Sequence, residues 1–214
     1  MGNGLRLSLA LAALGLLAIW LLRQYAWRAV LCLFPSSLKV EPEGPAGGVP
    51  IPTGLSALSD ELLALGFVAL GSHREKAWLR RAELLFDFCH PTDRAYASVF
   101  RGRDGRPGVL LLSRVEGEAF ALTANQRRPA KEIPGRYLSG ALEVATLDRV
   151  FKAHQRRAQS LGAPLARCDQ EGFFEARQAW FEGPGRRELR AQNLPGLLWT
   201  VGTLGIVGAA VFGR

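Results

Sequence analysis

An α+β domain held between two apolar, membrane-length ends is the fold class this sequence predicts, and three observations predict it. Leu7 to Leu22 carries no charge, and neither does any residue between Arg190 and Arg214, so each end approaches the ~20 apolar residues that a bilayer-spanning helix needs. All 19 Asp and Glu residues fall between Glu41 and Glu188. Within that region, short apolar runs with a period of two are bounded by turn residues, and two later stretches have helical spacing. The expected architecture is an antiparallel meander of about four or five strands packed with two or three helices, flanked by an N-terminal and a C-terminal transmembrane helix. The corresponding divisions are a first helix over 5–34, a linker over 35–54, a soluble domain over 55–185, a basic turn over 186–193 and a last helix over 194–213.

The N-terminal segment reads as an uncleaved signal anchor. Only Arg6 supplies a basic leader, and no small-x-small cleavage site follows the apolar core, which runs instead into Trp20, Arg23, Tyr25, Trp27 and Arg28. Those aromatics fall where an interfacial belt belongs. Trp27, Val30, Leu31 and Phe34 keep helical spacing until Pro35 stops the helix. At the other end, Asn193 is the expected N-cap and Pro195 the expected first-turn residue of the last helix. Gly202, Gly205, Gly208 and Ala209 give that helix a face of small residues, and Gly4, Ser8, Ala12 and Gly15 give one to the first, as close packing in lipid favours. An intramolecular helix pair or a homodimer is the expected use of these faces.

Arg23, Arg28 and Lys39 outweigh Arg6 across the first span, and Arg186, Arg187 and Arg190 outweigh Arg214 across the last. By the positive-inside bias the domain is expected in the cytoplasm, on a cell (inner) membrane crossed twice. Arg23, Arg28, Arg186, Arg187 and Arg190 form a basic membrane-proximal collar. Four Lys among 27 basic residues point to the codon usage of a GC-rich, bacterial genome. The net charge of +8 does not make a nucleic-acid-binding protein. With Arg6, Arg23, Arg28 and Arg214 assigned to the ends, 23 basic residues face 19 acidic ones, and no single element gathers them. Cys32, Cys89 and Cys168 have no CxxC spacing, so small buried hydrophobes in a reducing compartment are expected rather than a disulfide framework.

In the middle, Glu41 to Pro52 is rich in Pro and Gly and reads as a linker. A short helix with Leu58, Leu62 and Leu65 on its apolar face ends at Gly66, and Phe67 to Gly71 reads as a strand. Strands are predicted over Ala82–Cys89, Ala95–Arg101, Gly108–Arg114 and Glu118–Thr123, joined by connections too short for crossover helices. Asn125 to Pro134 reads as irregular. A helix is predicted over Leu142–Leu161, with Leu147, Val150, Phe151 and His154 on one face, and another over Gln170–Phe181, broken by Gly183-Pro184-Gly185.

Chemistry-bearing candidates are few. Asp87, Cys89, His90 and Asp93, with His73 more distant, form the densest polar cluster, but strand alternation separates Asp87 from His90 and the spacing matches no metal-ligand set. A turn held by Asp93 or Thr92 with His90 exposed is expected instead. His154, on an apolar helix face, is expected as a core-edge histidine, with a general base in a sheet–helix pocket as the sharper alternative. Asn125, Arg127 and Arg128 at a strand exit are the anion-binding candidates. The chain carries no hydrolase, zincin, kinase or phosphate-loop motif. No metal and no cofactor is expected. The expected function is a membrane-tethered binding or assembly module with a protein partner; the alternative is a tethered enzyme or lipid-headgroup-handling domain.

Overall fold

The computed structural model describes residues 2–102, 104–143, 145–165 and 167–212. The chain forms two compact units. One contains the residues up to Lys39, the hairpin tip Lys76–Arg81 and the segment from Arg187 on; the other contains Val40–Glu75 and Ala82–Arg186.

The larger unit is α+β, built on an eight-stranded mixed sheet rather than a meander of four or five strands. Its strands are β1 (Lys39–Pro45), β2 (Val68–Ala77), β3 (Arg80–His90), β4 (Ala95–Arg101), β5 (Pro107–Val115), β6 (Ala119–Ala124), β7 (Lys131–Ile133) and β8 (Tyr137–Ala141). The spatial order is β1-β2-β3-β4-β5-β6-β8-β7. From β3 to β6 every pairing is antiparallel, as the short turns require. β8, however, lies parallel to β6, with Phe120 opposite Tyr137, and β7 closes the edge as the antiparallel partner of β8. The chain leaves β6, descends one strand position further out and returns beside it, so no helix is needed to make the parallel pair. The stretch expected to be irregular therefore contains an edge strand, and the expected linker contains β1.

Alternation sorts the central strands cleanly. Phe86 and Phe88 of β3, Ala95, Ala97 and Val99 of β4, and Val109 and Leu111 of β5 face one side, where they pack with Leu55 and Leu62 of α2 (Thr53–Ala64) and Val150 and Phe151 of α3 (Leu147–Leu161). Leu110, Leu112, Phe120 and Leu122 face the other side with Trp180 of α4 (Gln170–Trp180). Because helices cover both faces, the central strands carry near-continuous apolar runs. α3 starts later than expected, at Leu147 after Thr146, and Gly162 at φ 144° ends it. β2 holds a local irregularity at Gly71, whose φ is 150° and where a Cβ would collide with the Gly44 carbonyl oxygen. A side chain is excluded there both by conformation and by space.

In the other unit, α1 (Gly2–Leu33) ends before Pro35, as predicted. α5 (Arg186–Phe212) starts well before the expected N-cap: residues 186–193 are helical, Pro195 lies inside the helix, and the Asn193 amide donates to the Leu189 carbonyl at 2.8 Å. Gly183, at φ −94° and ψ −114°, and Pro184 place a kinked π-type turn at Phe181–Gly185, where a break was predicted. Ala12–Leu33 and Gln170–Ala210 are each long and apolar enough to cross a membrane. α1 and α5 run antiparallel: Arg28 donates to the Gln192 carbonyl at 2.8 Å, Tyr25 stacks on Trp199 at 6.0 Å, and Leu14, Ala18 and Leu21 share a cleft with Thr203 and Ile206. The close approach is at Gly196, where a Cβ would strike Arg28. A Cβ at Gly15, Gly202, Gly205 or Gly208 would meet nothing within 4 Å, and of these Gly202 lines the cleft. Arg214 lies outside the described residues.

Leu111 is wholly buried between β4, β5 and the helices above them, whereas Leu63 is 49% exposed. Leu111→Ala should destabilise the detergent-solubilised full chain by about 2–5 kcal/mol in chemical denaturation, and Leu63→Ala by less than about 0.5 kcal/mol.

Candidate functional site

The sheet face beneath α4 carries a buried polar network, in which His73 Nε2 has no hydrogen-bond partner. His73 of β2, Asp87 of β3 and Ser98 of β4 occupy the same face of three neighbouring strands, and α4 lowers Arg177 onto it between Phe173 and Trp180. The His73 Nδ1 lies 2.6 Å from Asp87 Oδ2, the Ser98 hydroxyl donates to Asp87 Oδ1 at 2.8 Å, and Arg177 donates to Glu75, which lies 3.9 Å from His73 Nε2. All five side chains are buried. Burial alone would lower the His73 pKa, but the hydrogen bond to Asp87, the nearby Glu75 and the charge of Asp87 outweigh it and raise the pKa above its ordinary value. Burial likewise pushes the Asp87 carboxyl up, with His73 and Ser98 pulling it back. His73 thus faces two carboxylates and one guanidinium, and both members of the pair are shifted upward. The order of groups does not activate a nucleophile: Ser98 donates to the acid rather than to the imidazole, and Phe173 and Phe174 close over the ring at 5.3 and 6.2 Å.

His154 lies on the opposite face, under α3. Its Nε2 is 3.0 Å from the Ser113 hydroxyl and its Nδ1 3.1 Å from the Thr123 hydroxyl, to which Arg157 also donates at 2.8 Å. Complete burial, and then the nearby Arg157, bring its pKa down to about 3, so it is neutral. Ser113 and His154 make a nucleophile–base contact in distance only. Neither is exposed, and the third position holds a hydroxyl backed by a cation where a triad needs a carboxylate.

The cluster around His90 comes apart in the fold. His90 Nδ1 accepts from the Asp93 amide at 3.1 Å and Nε2 donates to the Leu65 carbonyl at 3.2 Å, which confirms the turn but not the expected exposure, because Phe67 and Phe151 flank the ring at 5.1 and 5.0 Å. Cys89 is bonded to Cys168, 79 residues on, with Cα atoms 5.5 Å apart. The expectation of three unpaired cysteines is thereby corrected, and only Cys32 is free. Spacing in sequence cannot show this pair, since the strand and the segment before α4 meet only in the tertiary fold. A crosslink over that separation removes denatured-state entropy equivalent to about 4–5 kcal/mol in the chain-entropy model. It is reinforced locally by a hydrogen bond from Tyr96 to the Arg167 carbonyl and by Asp169, which accepts from the Gly172 amide at 2.6 Å and caps α4. Among the described residues no group of three His, Cys, Asp or Glu is placed to hold a metal ion.

Of the anion-binding candidates, Asn125 and Arg127 line a shallow cavity of about 580 Å³ with Asp104, Arg106, Gln126 and Glu143, at the β4–β5 turn and the β6 exit. Asn125 already accepts from the Val109 amide at 2.8 Å, and Gln126 donates to the Arg106 carbonyl at 3.3 Å. Two carboxylates beside two guanidinium groups make a mixed lining rather than an anion cradle, and Arg128 is not part of it. In the basic collar Arg23, Arg186, Arg187 and Arg190 are exposed, whereas Arg28 is half-buried and spent on α5. His154, Tyr137, Asn125 and Asp87 therefore occupy separate environments: under α3, against Trp180, at the cavity and under α4.

The missed residues are Glu75 and Arg177. Arg177 stands on the apolar stripe of α4 between Phe173 and Trp180, and an arginine in such a stripe implies a buried anionic partner. The chain matches no protein-family model, no curated protein and no solved structure.

The two histidines give opposite pH signatures. His154 has a depressed folded pKa, so its unfolded form takes up the proton first and stability falls as pH drops from 6.5 toward about 3. His73 has a raised folded pKa, so its contribution is complete below 6.5 and is lost as pH rises through the folded value. Thermal unfolding of the full chain against pH should show His154→Gln flattening the acid limb and Asp87→Asn flattening the limb above 6.5.

Proposed function

We propose that this protein is anchored in a bacterial cell membrane by two spans, α1 and α5, and presents its α+β domain as a non-catalytic binding or assembly module for a protein partner. The observation that carries this reading is the direction in which the polar chemistry points. His73, Asp87 and His154 are wholly buried and bonded to neighbours, the cavity of about 310 Å³ that Asp87 lines is otherwise largely apolar, and a second, polar cavity carries Asp104 and Glu143 beside Arg106 and Arg127. An enzyme needs convergent acid–base groups in a concave site. A shallow surface of both signs suits the rim of a protein interface, where charge complementarity selects the partner. The competing reading, a tethered enzyme or headgroup-handling domain with a pocket between the sheet and α3, would need a carboxylate beside His154, whose partners are Ser113 and Thr123. A homodimer through Gly202, Gly205, Gly208 and Ala209 fits the same module, because those glycines face open space. Nucleic acid is not the partner of this reading.

Two features bear on the side of the membrane. Flanking charges favour a cytoplasmic domain; the Cys89–Cys168 disulfide favours an oxidising compartment, since such bonds are rare in the cytosol. The disulfide is a bond within the fold, whereas the flanking charges are a count along the sequence, so the disulfide is given the greater weight. The adopted reading is therefore a domain on the oxidising side. In acid-quenched cells, Cys89 and Cys168 should resist alkylation until reduced, and a cysteine introduced at residue 45 should react with an impermeant reagent; thiols that alkylate without reduction would return the domain to the cytoplasm.

The module reading predicts a discrete protein adduct from a photo-crosslinking residue placed at Gln126, lost in the Arg106→Glu/Arg127→Glu variant. No adduct there, with a product formed from a small-molecule panel, would favour the enzyme.

A further inference from the structure

We propose that the β2–β3 turn is a third membrane contact, with Trp78 and Leu79 seated at the boundary between headgroups and acyl chains beside the C-terminal end of α1. This rests on the two-span reading. A two-residue hairpin turn usually takes Gly, Asn or Asp, which tolerate positive φ and water. Here the turn is Trp78-Leu79. Leu79 adopts φ 59°, a conformation uncommon for a residue without a local polar contact to offer, and the two side chains are 63% and 73% exposed. An apolar pair held outward on a tight turn is unexplained by the packing of the hairpin itself.

The occupant follows from what adjoins the turn. The tip, Lys76–Arg81, clusters with α1 and α5 in one compact unit. Trp78 meets Phe34 at 6.3 Å, and the Arg80 guanidinium lies 5.7 Å from the Trp27 ring. Leu33 and Phe34 are themselves 53% and 54% exposed, so the turn extends an apolar surface that α1 already presents. α1 continues past its charge-free Leu7–Leu22 run through Trp20, Tyr25 and Trp27 to Leu33, and Phe34 and Trp78 extend that aromatic set toward the interface. Tryptophan is the side chain that level favours, with an apolar ring and a polar N–H. Lys76, Arg80 and Arg81 flank the apolar pair, and Lys76 and Arg81 are exposed, the arrangement by which basic residues meet anionic headgroups while their neighbours enter the acyl region.

The test uses the full-length chain in vesicles of phosphatidylcholine and phosphatidylglycerol, with Cys32→Ser and one environment-sensitive fluorophore on an introduced cysteine. Leu79→Cys probes the turn, Val201→Cys the α5 span, and Asp104→Cys the domain surface. The proposal expects a blue-shifted label at 79, quenched to about half or less by lipids spin-labelled near the headgroup. The label at 201 should be quenched by lipids labelled deep in the chain, and the label at 104 by neither. Quenching at 201 with none at 79 overturns the third contact and leaves the two spans intact. No quenching at 201 overturns the two-span reading whatever happens at 79. Charge reversal at Lys76 and Arg81 should weaken quenching at 79 and leave that at 201 unchanged; an unchanged signal at 79 would remove the headgroup role of those residues.

Discussion

Four charged side chains closed under one helix govern the second face of this sheet. Asp87 and His73 are held 2.6 Å apart on adjacent strands, and Glu75 meets Arg177 from α4. A buried charge without its partner costs about 3–5 kcal/mol, a large share of a domain's whole stability. α4 therefore cannot slide or rotate without stranding Glu75, and β2 cannot slip against β3 without parting His73 from Asp87. The Cys89–Cys168 bond and the Asp169 cap fix the start of the same helix from the other direction. Register, helix placement and crosslink are one constraint expressed three times.

Against that network the opposite face shows how far environment decides the state of one residue type. His154 has hydroxyl neighbours and Arg157, and its pKa is lowered; His73 has two carboxylates, and its pKa is raised. Both side chains are wholly buried. Among the described residues, open surface includes a shallow cavity with both signs of charge, a largely apolar cavity of about 310 Å³ that Asp87 lines and, in the other unit, a surface of Leu33, Phe34, Trp78 and Leu79. The exposed surface is thus polar at the first cavity and apolar at the hairpin tip.

Much of the architecture was legible because it is written in local patterns. Charge-free ends, the stop at Pro35, short Gly- and Pro-containing turns and period-two apolar runs are each carried by neighbouring residues, and β3 to β6 appear where those patterns put them. β7 and β8 were not legible because edge strands are short and their pairing is non-local; β1 was hidden by Pro and Gly in a segment that still found a neighbour. Residues 186–193 read as a turn because their polar composition masks a helix that continues into an apolar one, with Pro195 tolerated inside it. Of the candidate residues, His154 lies on the core face of α3, whereas the pairing of Asp87 with His73 across neighbouring strands and of Glu75 with Arg177 from α4 was not visible, since both depend on strand and helix placement.

The sequence by itself determined the membrane-length apolar ends, the α+β class and the order of most elements, because hydrophobic periodicity and turn chemistry act over a few residues. The tertiary structure alone decided which cysteines bond, in which direction each buried histidine's pKa moves, which side of the sheet each polar group occupies and that Trp78 stands outward beside Phe34. Those outcomes depend on distances between segments tens of residues apart, and on the burial and electric field that exist only once the segments have met.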